Sequence, residues 1–314
     1  MWPAPQARWK RANIAGWPPP GQLDHGNYEL LSRNESAIEL RLPVEDHADQ
    51  TSAGLRCELR YRLAPQSTRL TVESTFLNTA AYPQWWGHWH ITTVQLPDER
   101  QGCITVPVQP NSSAGAQGYL LQSRETKNVD IDRSGQLSRF WWNGKSYKVS
   151  SDSEIGWIAA EDRVTSTAFV QRFTVEQNLP FGTYPEGHCP LAVFLGEADG
   201  FTEMEVMGPE RELAPGASTT LAVEWAACRV TGSLTTVTDG GVTVRPLTIA
   251  NGRASGSFGV FDIGTATLAI GGTVVWTASC SPAQPLQFDI PVTLSGVAIL
   301  MVEGRQLSEL AMAP

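Results

Sequence analysis

The sequence predicts an all-β protein, and three observations carry that prediction. Short runs rich in β-branched and aromatic residues alternate polar with apolar side chains at the two-residue period of a strand. Clusters of Pro, Gly, Asn and Ser separate those runs and supply turns. No window of a dozen residues holds a clean helical period, so any helix is short.

Taken in chain order, the predicted strands begin with "AIELRL" (from Ala37), "LRCELRYRL" (from Leu55) and "RLTVESTFLN" (from Arg69). "YPQWWGHWHITTVQLP" follows from Tyr82 to Pro97. "RFWWNGKSYKV" reads as a hairpin turning at Asn143-Gly144, a dipeptide that accepts the positive backbone angles of a tight turn. "STAFVQRFTV", "GFTEMEVMGP" and "LAVEWAA" complete the first part of the chain.

Composition changes near Cys228. All five histidines and ten of the eleven tryptophans precede it. Beyond it lie "TTVTDGGVTV", "ATLAIGGTVVW" and "PLQFDIPVTLSGVAILMVE", with Asp-Gly and Gly-Gly turn signals and few charges. A boundary at about residue 229 is expected, dividing a larger domain (1–228) from a small β-sandwich (229–314).

The chain has 314 residues, and its 41% apolar content is enough for a sizeable core. Its 32 acidic and 23 basic side chains give a net charge of -9, with no Lys/Arg patch to neutralise a phosphate backbone, so nucleic acid is not an expected partner. No run of about 18 apolar residues suggests a membrane span. The opening "MWPAPQARWK" lacks the apolar stretch of a signal peptide, so a soluble protein is expected. Five scattered cysteines without a C-x-x-C pair read as buried thiols.

Chemistry concentrates in two segments. Trp85 to His90 gathers three tryptophans and two histidines, and strand alternation puts Trp86, His88 and His90 on one face. In "GFTEMEVMGP", Glu203 and Glu205 share a face with Phe201, opposite Met204 and Val206. Two carboxylates on one strand face call for solvent or a polar cleft, because burying them unpaired costs several kcal/mol. A tryptophan beside them offers a flat apolar surface with an N–H edge, which suits the C–H face of a sugar ring. The His-x-His pair could also begin a metal site, although the next carboxylate, Asp98, lies beyond a proline. Further candidates for ligand contact are Trp141, Trp142, Lys145 and Lys148 in "RFWWNGKSYKV", Gln171 and Arg172 in "FVQRF", and His188.

The stretches "WPAPQ", "WPPP", "FLNTAAYPQWWGHWHITTVQLP", "SEIGWIAA", "FVQRF", "YPEGHC" and "FTEMEVMGPERELAPGASTTLAVEW", covering about residues 2 to 226, resemble the galactose mutarotase-like superfamily. Within it the chain is most similar to an uncharacterised bacterial family of domains of unknown function. The resemblance implies a β-supersandwich with a concave face that binds a saccharide. In aldose 1-epimerases of this superfamily a histidine protonates the ring oxygen and a glutamate takes the anomeric proton, with no metal or organic cofactor. By position it implies Glu203, then Glu205, as base and His90 or His88 as acid. Related domains also serve as non-catalytic sugar-binding modules, and a metal-dependent protein using His88 and His90 is the further alternative. Such relatives carry strands ahead of the first motif, so the expectation is either a sequence truncated ahead of Trp2, with a cytoplasmic or periplasmic location, or a fold that lacks part of one sheet.

Overall fold

A computed structural model describes residues 1–11, 14–15, 21–44, 52–98, 100–122, 129–180, 183–197 and 200–311; the "WPPP" motif at Trp17 lies outside them. The chain divides into two compact units. One comprises Met1–Arg62, Thr71–Ile158 and Arg172–Glu224; the other comprises Leu63–Leu70, Ala159–Gln171 and Trp225–Pro314.

The fold is all-β and antiparallel in every described pairing. A seven-stranded sheet of the first unit runs in the order Trp2–Ala4, Gln84–Gln95, Phe201–Met207, Leu191–Leu195, Tyr147–Ser151 and Leu120–Leu121, with Arg211–Leu213 also paired to Gln84–Gln95. A ten-stranded sheet includes Leu70–Asn78, which lies between Leu55–Leu63 and Ser218–Arg229. Where the two sheets face each other in the first unit, the ring of Phe76 stacks on that of His88 at 4.4 Å. Phe76, Trp86, Leu55 and Leu59 are buried in the same apolar cluster.

Gly87 explains how the tryptophan-rich strand closes on its neighbour. A Cβ at this position would lie 2.6 Å from the Gly208 carbonyl oxygen, so any side chain there would force the two backbones apart.

The second unit contains two four-stranded sheets. One is ordered Thr236–Val237, Gly241–Ala250, Arg253–Val260, Leu286–Pro291, and the other Thr273–Cys280, Gly264–Ile270, Ala298–Val302, Arg305–Leu310. Side chains of both, among them Phe258, Phe288, Leu268 and Leu300, meet in one buried cluster. Gly271 and Gly272 join two strands with φ of 56° and 80°, the pair of positive angles that the Gly-Gly signal predicts.

Helices are as short as expected: Gly21–His25 has five residues and Pro185–His188 four. Among the described residues no helix is long and apolar enough to cross a membrane. All five cysteines are buried thiols, as expected. The expected hairpin at Asn143-Gly144 is a correction, because Leu137–Trp141 belongs to the ten-stranded sheet and Tyr147–Ser151 to the seven-stranded one. Gly144 turns the chain, with φ of 73°, from one sheet to the other instead of back along the same one.

Candidate active site on the outer face of the seven-stranded sheet

Directly paired residues of an antiparallel sheet share a face, so the register maps the surface. Glu205 pairs with Ile91 and Ala192, and Glu203 with Thr93 and Phe194. Ala192 and Phe194 pair in turn with Ser150 and Lys148. Trp89 pairs with Met207 and Trp2 at one end. Glu203, Glu205, Lys148, Phe194 and Trp89 therefore lie on one face, which points away from the ten-stranded sheet.

That register corrects the expectation that His88 and His90 line the site with the glutamates. His90 pairs with Val206 and projects from the other face, and both imidazoles point into the space between the sheets. They are 2% exposed. The Ser74 hydroxyl sits between them, 2.7 Å from His88 Nδ1 and 2.8 Å from His90 Nε2.

Hydrogen bonding fixes the tautomers. The Thr219 carbonyl, 3.2 Å from His88 Nε2, can only accept, so that nitrogen carries the proton. His88 Nδ1 then accepts from Ser74, whose oxygen accepts from His90 Nε2–H. His88 is satisfied as a neutral ring at both nitrogens, and His90 at Nε2. Burial pushes the His88 pKa down to about 3 against the opposing bond to Thr219, and burial followed by the neighbouring His88 pushes that of His90 well down. Burial thus disfavours in both rings the imidazolium form that a general acid needs. The same geometry bears on the metal alternative: Ser74 Oγ occupies the position on which the two nitrogens converge. Among the described residues, no three His, Cys, Asp or Glu side chains cluster as metal ligands.

On the outer face the groups are paired unequally. Glu205 is 1% exposed, and its Oε2 accepts from Trp89 Nε1 at 2.9 Å and pairs with Lys148 Nζ at 3.0 Å. The same ammonium lies 4.5 Å above the Trp89 ring. Trp9 stacks on that ring at 5.7 Å and Trp2 meets it edge-on at 5.6 Å. Glu203, two residues away, is half-buried and has no such clamp among the described residues. Burial first, then the charge of Glu205, raises its pKa to about 7, while Lys148 opposes the shift. Glu203 thus carries both protonation states near neutral pH, as a group that gives and takes protons requires.

Beside Glu203 the aromatic surface comes from phenylalanine. Phe194 and Phe201 meet edge-to-face at 6.2 Å and 72°, and Phe201 is 39% exposed. The expected tryptophan platform is corrected accordingly. Trp86 lies on the histidine face, 2% exposed, and donates to Gln84 Oε1. Trp142 is buried and donates to the Gly196 carbonyl. Both indoles use their polar edges within the protein.

The other sequence candidates are dispersed. Arg172 stands on the ten-stranded sheet in an ion pair with Glu224 at 3.0 Å. Lys145 is exposed in the turn that Asn143 Oδ1 closes by accepting from its backbone N–H at 3.1 Å. His188 ends the short Pro185–His188 helix, with its ring 6.0 Å from that of Tyr184. The sequence alone did not point to Trp89 or Phe194 as site residues, and it offered Lys148 only as one of several cationic candidates. Phe194, and the nearness of Lys148 to the glutamates, follow only from the pairing of Tyr147–Ser151 with Leu191–Leu195, which joins residues forty or more positions apart on one face.

No protein-family model matches the chain, and no curated protein matches it either. Among solved structures it is similar to the Slr1438 protein of Synechocystis sp. PCC 6803, with 12% identity over 72% of this chain and 74% of that one and a TM-score of 0.46. It is also similar to a candidate aldose 1-epimerase of Escherichia coli, with 16% identity over 65% of this chain and 69% of that one and a TM-score of 0.46. A galactose mutarotase-like protein of Lactobacillus casei is similar at 11% identity over 64% of this chain and 73% of that one, with a TM-score of 0.45.

Proposed function

We propose that the protein binds a saccharide on the outer face of the seven-stranded sheet and interconverts its anomers, with Glu203 as the proton-transfer group. The observation that carries this reading is the position of Glu203, a carboxyl poised near neutrality directly beside the Phe194–Phe201 pair. The aromatic pair offers an apolar surface to the C–H face of a sugar ring. Glu203 then takes the proton of the anomeric hydroxyl. The ring C–O bond breaks, the ring oxygen takes a proton from solvent, and the open-chain aldehyde forms. Reclosure on the other face of the carbonyl, with the proton returned, yields the opposite anomer. The sequence resemblance to galactose mutarotase-like proteins supports the same chemistry.

A second reading, a non-catalytic saccharide-binding module, is favoured by one specific observation: both histidines expected as acids are sealed behind the sheet. NMR exchange spectroscopy on a panel of mono- and oligosaccharides and uronic acids separates the two. Catalysis requires anomeric exchange that wild type accelerates and Glu203→Gln does not, with ligand affinity retained. Binding without accelerated exchange in either form selects the module, and absence of binding across the panel rejects both.

A further inference from the structure

The two glutamates of the outer face share a strand and a residue type, yet their surroundings divide them. Two donors converge on one oxygen of Glu205: the neutral Trp89 indole N–H and the Lys148 ammonium. Neither donor can accept a proton, so the ionised acid is the form that both suit. The donors are themselves held. Trp89 is packed by Trp9 and Trp2, and the Lys148 ammonium rests on the Trp89 ring. Glu205 is thus fixed by Trp89 from the adjoining strand and by Lys148 from two strands away on the other side, and sealed from solvent, whereas Glu203 stands half-exposed beside the phenylalanine pair.

We infer that Lys148 and Trp89 form a positioning unit that holds Glu205 as a fixed anion behind Glu203, so that only Glu203 exchanges protons with a ligand. This rests on the function proposed above for the choice of ligand, but the division of labour is a property of the unliganded protein. Lys148 spans the site from Tyr147–Ser151 to reach a carboxylate two strands away. The charged groups acting on Glu203 are Glu205 from its own strand and Lys148 from Tyr147–Ser151. Its direct neighbours on the two adjoining strands, Thr93 and Phe194, are uncharged. Glu205 therefore opposes ionisation of Glu203, and Lys148 limits that opposition. In this arrangement Glu205 and Lys148 are positioning residues, not catalytic ones.

The test is a pH titration of the full chain carrying carboxyl-13C glutamate, without ligand. In wild type one glutamate titrates near neutrality, and Glu203→Gln removes that signal. Glu205→Gln moves the same titration down by about one pH unit, and Lys148→Met moves it up by a similar amount. Lys148→Arg, which restores the cation, keeps it near the wild-type position and controls for local collapse. The inference is overturned if Glu205→Gln removes the neutral signal, if Glu205→Gln leaves it in place, or if Lys148→Met and Lys148→Arg behave alike. Since no turnover is needed, a protein without epimerase activity would still decide the point, so failure here is distinct from failure of the proposed function.

Discussion

On one face of the Gln84–Gln95 strand, His88 and His90 are closed in by Ser74, Thr219 and the Phe76 ring. On the other face, across the sheet, Glu203 stands near water with Glu205 clamped behind it. Both regions bury titratable groups, and burial pushes each toward its neutral form, imidazoles downward and the carboxyl upward. The outcomes differ because Ser74 and Thr219 hold the sealed histidines by hydrogen bonds suited to neutral rings, while Glu203 keeps partial exposure and faces charges of both signs. Titratable residues gathered on a strand mark chemistry only when the folded site leaves one of them unfinished.

The largest effect should come from acid on the inner face. A group whose folded pKa is depressed contributes stability above its unfolded pKa and loses it as pH falls. For His88 the window runs from its unfolded value of 6.5 down to about 3, with a slope of about 1.4 kcal/mol per pH unit for one proton taken up on unfolding. Urea midpoints at pH 7, 5.5 and 4 should fall along that window, and His88→Gln should flatten the decline. An unchanged slope in His88→Gln would break the contrast between sealed and open faces.

Ser74→Ala should come next. It removes the donor to one buried imidazole and the acceptor of the other, at a cost of about 2 kcal/mol in unfolding free energy. The equivalent truncation on the outer face, Thr93→Ala, removes an exposed side chain and should change stability by about 0.5 kcal/mol at most.

A smaller change should follow Glu203→Gln. Because its folded pKa is raised, Glu203 contributes most below its unfolded value of 4.5 and loses that contribution as pH rises through about 7. The variant should melt about 2 °C higher than wild type at pH 8 and equally at pH 4 by differential scanning calorimetry. A reversed pH dependence would place the poised proton elsewhere. The smallest stability effect belongs to Phe201→Ala, which should leave unfolding nearly unchanged yet weaken saccharide binding about fivefold by calorimetric titration.

Much of the strand order along the chain was legible. "LRCELRYRL" is a strand over its full length, Leu55–Leu63, because alternation and β-branched content are local signals. The facing of Glu203 with Glu205, and of Trp86 with His88 and His90, was legible from the two-residue period alone. What the period cannot give is which face of one strand meets which face of another. Only the pairing of Glu205 with Ile91 tells that the glutamates turn their backs on the histidines. Lys148 illustrates the same limit, since its partner Glu205 is 57 residues away by sequence number and has no local trace. The Asn143-Gly144 turn was read correctly as a turn and wrongly as a hairpin, because turn chemistry fixes a change of direction without naming the sheet that receives the chain.

The place of Gln84–Gln95 in its sheet also governs when the protein can assemble. Its neighbours are Trp2–Ala4 on one side and Phe201–Met207 on the other, each far from it in sequence. During synthesis the strand richest in tryptophan must therefore wait, with one edge unpaired, until more than a hundred further residues have left the ribosome. Pairings of such long range are slow to close, and the unpaired edge is open to wrong associations over that interval.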